Sequence, residues 1–345
     1  MRFMCVVVPG LEEIVEDDLI NSLPNIHDIK TERGKIFFDI DKENLNALLN
    51  IKSVDNFYYF ISSFKVGRCK KDLVEFKKEI LKLKFDKICK FVDKKLINSK
   101  LKNENLKIIV SASKKGKANY SRFDISEIAT SVLVEKYNFT EGDSKNYDIA
   151  IRIDIDEGTC NIFTQITDAS FKFRGTNYNF VRGGLRPTIS YTLLKIAKIK
   201  KDDVFLDPFC GSGTIPIECV NFRARKIYAS DMDSEVIAFA RENAPSNVHI
   251  YLEDATKLSF KDKFIDVIVS NIPWGKQVMV DNISLLYNKF LKEAKRVLKD
   301  NGRMVLLTDK DELLKEALNL KFNVKVITTL SLHGLHPKVY YLTKE

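Results

Sequence analysis

Short apolar runs that alternate with turn signals open the chain, and longer runs at helical spacing are set between them. "MCVVV" before Pro9-Gly10 and "GKIFFDI" read as strands, and "LEEIVEDDLINSL" places apolar positions 11, 14, 15, 19 and 20 on one helical face. "FYYFISSFKVG" predicts a further strand, followed by a lysine-rich helical stretch over 77–95. "LKIIVSASKKGKANYSRFDISEIATSVLVEKY" predicts a strand, a basic glycine loop and a helix with apolar positions 125, 128, 129, 132 and 133. Ile149, Ile151, Ile153 and Ile155 then alternate with polar residues up to Asp156-Glu157-Gly158-Thr159, a hairpin signal. Residues 171–186, "FKFRGTNYNFVRGGLR", are basic and glycine-bearing without periodicity, and read as a linker lying near a site.

From "DDVFLDPFCGSGTIPIECVNF" onward strands and helices alternate, with helices expected over 283–299 and near 311–319, until "FNVKVITTLSLHGLHPKVYYL" gives two consecutive strands. That order predicts an α/β fold with a parallel sheet and an antiparallel edge strand. The chain divides into a small α/β unit over 1–54, a second α+β unit over 55–170, the linker 171–186 and the doubly wound unit 187–345.

Composition sharpens this division. A chain of 345 residues predicts two or three domains, and no apolar run approaches the ~20 residues needed to span a bilayer, so a soluble protein is expected. The cysteines at 5, 69, 89, 160, 210 and 219 form no CxxC pair and no zinc spacing, which suggests reduced thiols in a cytoplasmic location and no metal. His333 and His336 lack a ligand partner at the usual spacing. Charge is unevenly spread: 5 basic against 10 acidic residues over 1–50, 30 against 17 over 51–200, and 21 against 20 over 201–345. The basic middle suggests contact with a polyanion, although lysines alternating with apolar residues over 77–95 fit a solvated helix face better.

"VFLDPFCGSGT" (204–214) sets Gly211 and Gly213 between a buried-type strand and a helix start, where glycines let backbone amides approach a ligand. Eighteen residues past Gly213, Asp231 closes the next strand, the place where an acid takes ribose hydroxyls in a doubly wound fold. Asp254 stands at the third strand end, placed to accept from an adenine amine. The spacing alone suits NAD, FAD or S-adenosylmethionine. Asp207 directly before the loop would repel a pyrophosphate and suits the cationic methionine end of S-adenosylmethionine. Phe209, Thr214, Met232 and Ala255 complete the expected donor set. Cys210, inside this loop, is expected to pack.

In "FIDVIVSNIPWGKQ" (264–277) a strand ends in Asn271-Ile272-Pro273-Trp274, with the only tryptophan in the chain. Together with "DPFCGSGT", this resembles the class I S-adenosylmethionine-dependent methyltransferases that modify exocyclic amines, whose fourth motif is Asn/Asp-x-Pro-aromatic. The resemblance implies that Asn271 and the Ile272 carbonyl hold the target amine, Pro273 fixes the turn and Trp274 stacks on the base. "RGGLRPTISYTLL" (182–194) resembles the motif preceding the glycine loop in that family, which implies a donor-pocket role for Arg186, Pro187, Thr188 and Ser190.

The 55–170 unit with its basic loop resembles the THUMP domain, an RNA-binding module, and residues 1–54 resemble the ferredoxin-like segment that accompanies it. The whole chain is then similar to the archaeal and eukaryotic THUMP-containing tRNA guanine-N2 methyltransferases. Ile272 followed by Gly275 favours the branch acting on guanosine 6 of the acceptor stem over the branch acting on guanosine 10. The resemblance implies binding of the tRNA 3′ end, with Lys114, Lys115, Lys117, Arg122, Arg174 and Arg182 as backbone contacts. It also implies a guanine flipped from its stem, and a monomer without membrane or metal. DNA amine methyltransferases and protein-glutamine methyltransferases share the fourth motif, and a silent RNA-binding subunit would share the basic unit. The THUMP-like unit and the intact Asp207, Asp231 and Asn271 favour the tRNA enzyme.

Overall fold

The computed structural model describes residues 1–41, 44–91, 105–168, 170–174, 184–275, 282–332 and 334–345. It contains two sheets. The first is built from β1 (Arg2–Val6), β2 (His27–Glu32), β3 (Lys35–Asp39), β4 (Asn56–Lys65), β5 (Lys107–Lys115), β6 (Thr140–Glu141), β7 (Ile149–Asp156) and β8 (Thr159–Gln165). These strands run in the order β2-β3-β1-β4-β8-β7-β5-β6. β4 pairs with β1 on one side and β8 on the other, so the N-terminal unit and the basic unit share one sheet.

Among the described residues, three helices cover this sheet: α1 (Glu12–Ser22), α2 (Leu73–Leu81) and α3 (Arg122–Tyr137), with short helical turns at Leu45–Leu48 and Phe85–Ile88. The lysine-rich stretch is thus broken after Leu81 rather than forming one helix. A reciprocal cap starts α3: the Ser121 hydroxyl accepts the Asp124 N–H at 3.1 Å while the Asp124 carboxylate accepts the Ser121 N–H at 2.6 Å. Left-handed Asn138 ends it. β2, absent from the sequence expectation, is an edge strand whose six residues are mostly exposed, so no apolar alternation marks it.

The second sheet contains β9 (Val204–Asp207), β10 (Lys226–Asp231), β11 (Val248–Leu252), β12 (Ile265–Asn271), β13 (Leu298–Thr308), β14 (Phe322–Thr329) and β15 (Lys338–Lys344). Its order is β11-β10-β9-β12-β13-β15-β14, and β15 alone runs antiparallel to its neighbours. That strand lies one place in from the edge, because β14 arrives by a helical crossover and the chain then turns back between it and β13. Around the sheet lie α4 (Pro187–Ile196), α5 (Thr214–Cys219), α6 (Ser234–Asn243), α7 (Ile283–Val297) and α8 (Glu312–Asn319). Strand order reverses between β9 and β12, which opens a crevice at their carboxyl ends.

One apolar cluster runs from Phe3, Val15 and Phe38 of the N-terminal unit and Phe57 of β4 into Leu193, Phe205, Val267 and Leu307 around the second sheet. Three buried acids at this junction each meet a cation: Asp18 with Lys195 at 2.6 Å, Asp55 with Arg186 at 2.6 Å and Glu218 with Arg174 at 3.0 Å. Gly10 lies against the end of β14, with the Thr328 hydroxyl donating to its carbonyl at 2.6 Å. An added Cβ at Gly10 would meet the Thr329 carbonyl at 2.2 Å, so only glycine permits this approach. No helix among the described residues is long and apolar enough to cross a membrane.

Candidate active site

Buried Val204, Phe205 and Leu206 carry β9 into the core and deliver Asp207 to the crevice fully buried. One of its carboxylate oxygens accepts from the Ser270 hydroxyl at 2.7 Å and the Phe209 N–H at 3.2 Å. The other, Oδ2, has no hydrogen-bond partner among the described residues, and neither do the buried hydroxyls of Ser190 and Ser230. Burial pushes the Asp207 carboxyl up to about 7. An acceptor left without a donor in a buried place costs free energy, so Asp207 is poised for a cationic or N–H-bearing ligand.

The loop that follows is tied to the neighbouring strand. Gly211 and Gly213 both take positive φ, 54° and 89°, and Gly213 caps α5. The Asp231 carboxylate accepts the Gly211 N–H at 3.0 Å and the Asp233 N–H at 3.2 Å, and burial raises its pKa. Asp231 therefore grips the glycine loop, with a second lone pair on each oxygen left over for a ligand hydroxyl. Phe209 packs edge-on against Phe290 at 5.0 Å, Thr214 is buried, and Met232 is 74% exposed beside Asp231. Asp254 lies two residues past β11, exposed, and accepts the Thr256 N–H at 2.8 Å. Ala255 is packed into the core beside β12, so its side chain belongs to the interior. Cys210 is buried too, and burial pushes its thiol well up, which makes it a neutral packing group.

On the other wall, β12 pairs with β13 so that Asn271 faces Leu307. The Leu307 carbonyl accepts both the Ile272 N–H at 3.2 Å and the Trp274 indole N–H at 3.3 Å. The Pro273 carbonyl accepts the Tyr287 hydroxyl at 2.6 Å. This turn is half-buried at Asn271, Pro273 and Trp274, and Gly275 leaves it at φ 70° with open space around its Cα. The donor loop and the turn meet through the Asp207–Ser270 bond, because Ser270 directly precedes Asn271.

Two of the residues expected beside the donor are engaged elsewhere. Arg186 and Thr188 both bind Asp55, at 2.6 and 2.7 Å, and so fasten α4 to the start of β4 rather than line a pocket. Pro187 is the first residue of α4 and is buried, as a helix start with no N–H to satisfy.

Residues 174–336 match the family described as RMKL-like, methyltransferase domain, and residues 82–165 match the THUMP domain. The chain therefore carries a methyltransferase domain and a THUMP domain. A tRNA (guanine(6)-N2)-methyltransferase of Methanocaldococcus jannaschii is 23% identical to it over 400 residues, spanning 99% of this chain and 100% of the relative. Among solved structures, TrmN from Thermus thermophilus superposes with a TM-score of 0.85 at 23% identity, covering 100% of this chain and 99% of that one. SMU.472, solved in complex with SAH, superposes with a TM-score of 0.73 at 16% identity over 100% and 98% of the two chains.

In this methyltransferase the basic loop after β5 lies against two others. Asn119 donates its N–H to the Arg68 carbonyl and Tyr120 its hydroxyl to the Gly67 carbonyl, both at 2.8 Å. Lys115, Lys117 and Arg122 are exposed, and Lys115 reaches Asp156 at 3.5 Å. Lys114 is half-buried and donates to the Ala118 carbonyl at 3.2 Å. The same surface gathers exposed Lys65 at the end of β4 and exposed Arg68, Lys70 and Lys71 from the loop after it, none of them among the sequence-based candidates. The dense cations of "KVGRCKK" were the available signal.

Arg174 is a correction. Its guanidinium forks onto buried Glu218 at 3.0 and 3.1 Å and donates to the Lys52 carbonyl at 2.6 Å, so it has no reach to a phosphate. Arg182 and His333 lie outside the described residues. Among the described residues one group of metal-ligating type, His27, Asp28 and Asp39, brings its ligand atoms within 4.8 Å, but Arg2 already pairs with Asp39 at 3.2 Å.

Proposed function

We propose that this methyltransferase transfers a methyl group from S-adenosylmethionine to the exocyclic N2 amine of a guanosine in tRNA, at position 6 of the acceptor stem. The observation that carries the reading is the 2.7 Å bond between Asp207 and Ser270, which sets the glycine loop beside the Asn271–Trp274 turn. The relative from M. jannaschii supports the substrate, and SAH in the SMU.472 structure supports the donor.

The donor fits the residues present. Asp207 Oδ2, unpartnered and buried, would accept from its ammonium group, and Asp231 from its ribose hydroxyls. When bound, it supplies a methyl group activated by a sulfonium. Asn271 and the Ile272 carbonyl would accept the two N–H bonds of the target amine and aim its lone pair at that methyl. Positioning replaces a strong base, and the displaced proton leaves to solvent. Trp274 would stack on the flipped base, an interaction of roughly 1–3 kcal/mol per base. That is of the same order as the few kcal/mol needed to extrude a paired base, and phosphate contacts on the basic loops would offset the remainder.

Residues 55–170 would act as the RNA-binding unit, 1–54 as its ferredoxin-like companion and 187–345 as the catalytic unit, in a cytoplasmic monomer. The test is to incubate the protein with S-adenosylmethionine and unmodified tRNA transcripts, digest to nucleosides and identify products by mass spectrometry. N2-methylguanosine mapped to position 6 is expected. Donor binding without methylation of any tRNA would overturn the substrate assignment.

A further inference from the structure

The Asn271–Trp274 turn is held from behind by a residue outside the motif. Tyr287 lies on α7, fully buried, and its hydroxyl donates to the Pro273 carbonyl at 2.6 Å. The Thr308 hydroxyl sits 2.8 Å from the same tyrosine oxygen and accepts the Lys310 N–H at 3.2 Å. With the tyrosine proton given to Pro273, the chain runs from Thr308 through Tyr287 to the Pro273 carbonyl. Proline at 273 contributes no N–H, so its carbonyl is the only backbone handle there. On either side, Ile272 and Trp274 hang on the single Leu307 carbonyl. The four-residue turn is therefore fixed at three successive residues, and Tyr287 supplies the middle one.

We infer that Tyr287 is a positioning residue for amine methylation. Its hydroxyl sets the direction of the Pro273–Trp274 peptide, and through the rigid proline ring it restricts the adjoining Ile272–Pro273 peptide, whose carbonyl is the acceptor that would face the target amine. The inference rests on the proposed function for its catalytic consequence but not for the hold itself. A core tyrosine needed only for packing would do as well without its hydroxyl. A tyrosine that aims the turn would not, because an unpaired buried carbonyl relaxes toward another donor or water.

Trp274, the only tryptophan, reports on this turn directly. Tyr287→Phe is compared with the wild-type chain by acrylamide quenching of Trp274, by single-turnover methyl transfer to tRNA at saturating donor, and by donor and tRNA affinities. Quenching is expected to rise about two-fold and the transfer rate to fall about ten-fold, with both affinities within about two-fold of wild type. Thr308→Val leaves the bond to Pro273 in place, so quenching should stay at the wild-type level. Three results would overturn the inference: unchanged quenching in Tyr287→Phe, a rate loss shared equally by Thr308→Val, or a rate loss explained by weaker donor binding. A wild-type chain that methylates no RNA would overturn the proposed function, while the quenching comparison would still decide the hold.

Discussion

Replacing Arg174 by methionine separates two roles for the same side chain. The guanidinium is 13% exposed and its partner Glu218 4% exposed, with two nitrogen–oxygen contacts at 3.0 and 3.1 Å. A third bond ties it to the Lys52 carbonyl at 2.6 Å. Removal leaves a buried carboxylate without its counter-charge, a change that costs about 3–5 kcal/mol. Much of that is the penalty of the stranded anion, so Arg174→Met combined with Glu218→Gln should lose less than the two single losses added together. A coupling of about 2 kcal/mol is expected from a double-mutant cycle in urea, followed by circular dichroism and Trp274 emission. A phosphate contact makes the opposite prediction: little loss of stability, and a salt slope of log K smaller by about 0.7–0.9. At a temperature where all variants are folded, Arg174→Met is expected to bind tRNA with unchanged affinity and salt slope. A stability loss below about 1 kcal/mol together with a shallower slope would refute the structural role.

Asn271→Ala should abolish methyl transfer and leave donor and tRNA dissociation constants nearly unchanged; normal turnover would remove the amine-holding role. Converting Arg68, Lys70 and Lys71 to glutamine should weaken tRNA binding and lower the salt slope by up to about 0.7–0.9 for each phosphate no longer neutralised, measured by filter binding at several salt concentrations. An unchanged slope would exclude that loop from the interface. Asp207 titrates at about 7 when folded against an ordinary value of 3.8. The native state therefore holds this proton more tightly, and its contribution to stability falls as pH rises from about 4 to about 7. Asp207→Asn should flatten that part of the profile. Donor binding should release a proton near pH 6.5, detectable by calorimetry in two buffers of different ionisation enthalpy, and the variant should release none.

Features written into short stretches were legible in the sequence. The glycine loop could be placed because two positive-φ positions and a strand-ending acid lie within eight residues, and the β7–β8 hairpin because four isoleucines alternate up to a turn. The buried clamps were not legible, since their partners are remote in the chain: Arg186 and Thr188 reach Asp55 across 131 and 133 residues, and Arg174 reaches Glu218 across 44. A basic residue beside glycines looks the same whether it will meet a phosphate or a buried acid. Tyr287 was hidden for a related reason. In an amphipathic helix its position reads as core, and nothing local shows that its hydroxyl meets a carbonyl 14 residues back.

The clamps bear on how the two halves work together. Asp55 is the residue directly before β4, the strand shared by the N-terminal unit and the THUMP-bearing half of the sheet. Arg186 is the residue directly before α4, within the stretch that matches the methyltransferase domain. Their 2.6 Å ion pair therefore joins the origin of one element to the origin of the other, and the apolar cluster running beneath it leaves little room for a hinge. A change at Asp55 would loosen this joint without touching the basic loops or the Asn271–Trp274 turn. If the basic loops grip RNA as proposed, the reach from there to Trp274 is built into the packing, and the nucleotide that gets methylated is chosen by that reach as much as by contacts to its base. Asp55→Ala should then preserve tRNA affinity and donor affinity while lowering the transfer rate and spreading methylation to neighbouring guanosines. Mass-spectrometric mapping of the product reads this directly, and a variant with full rate and unchanged position would show that the joint has no part in choosing the site.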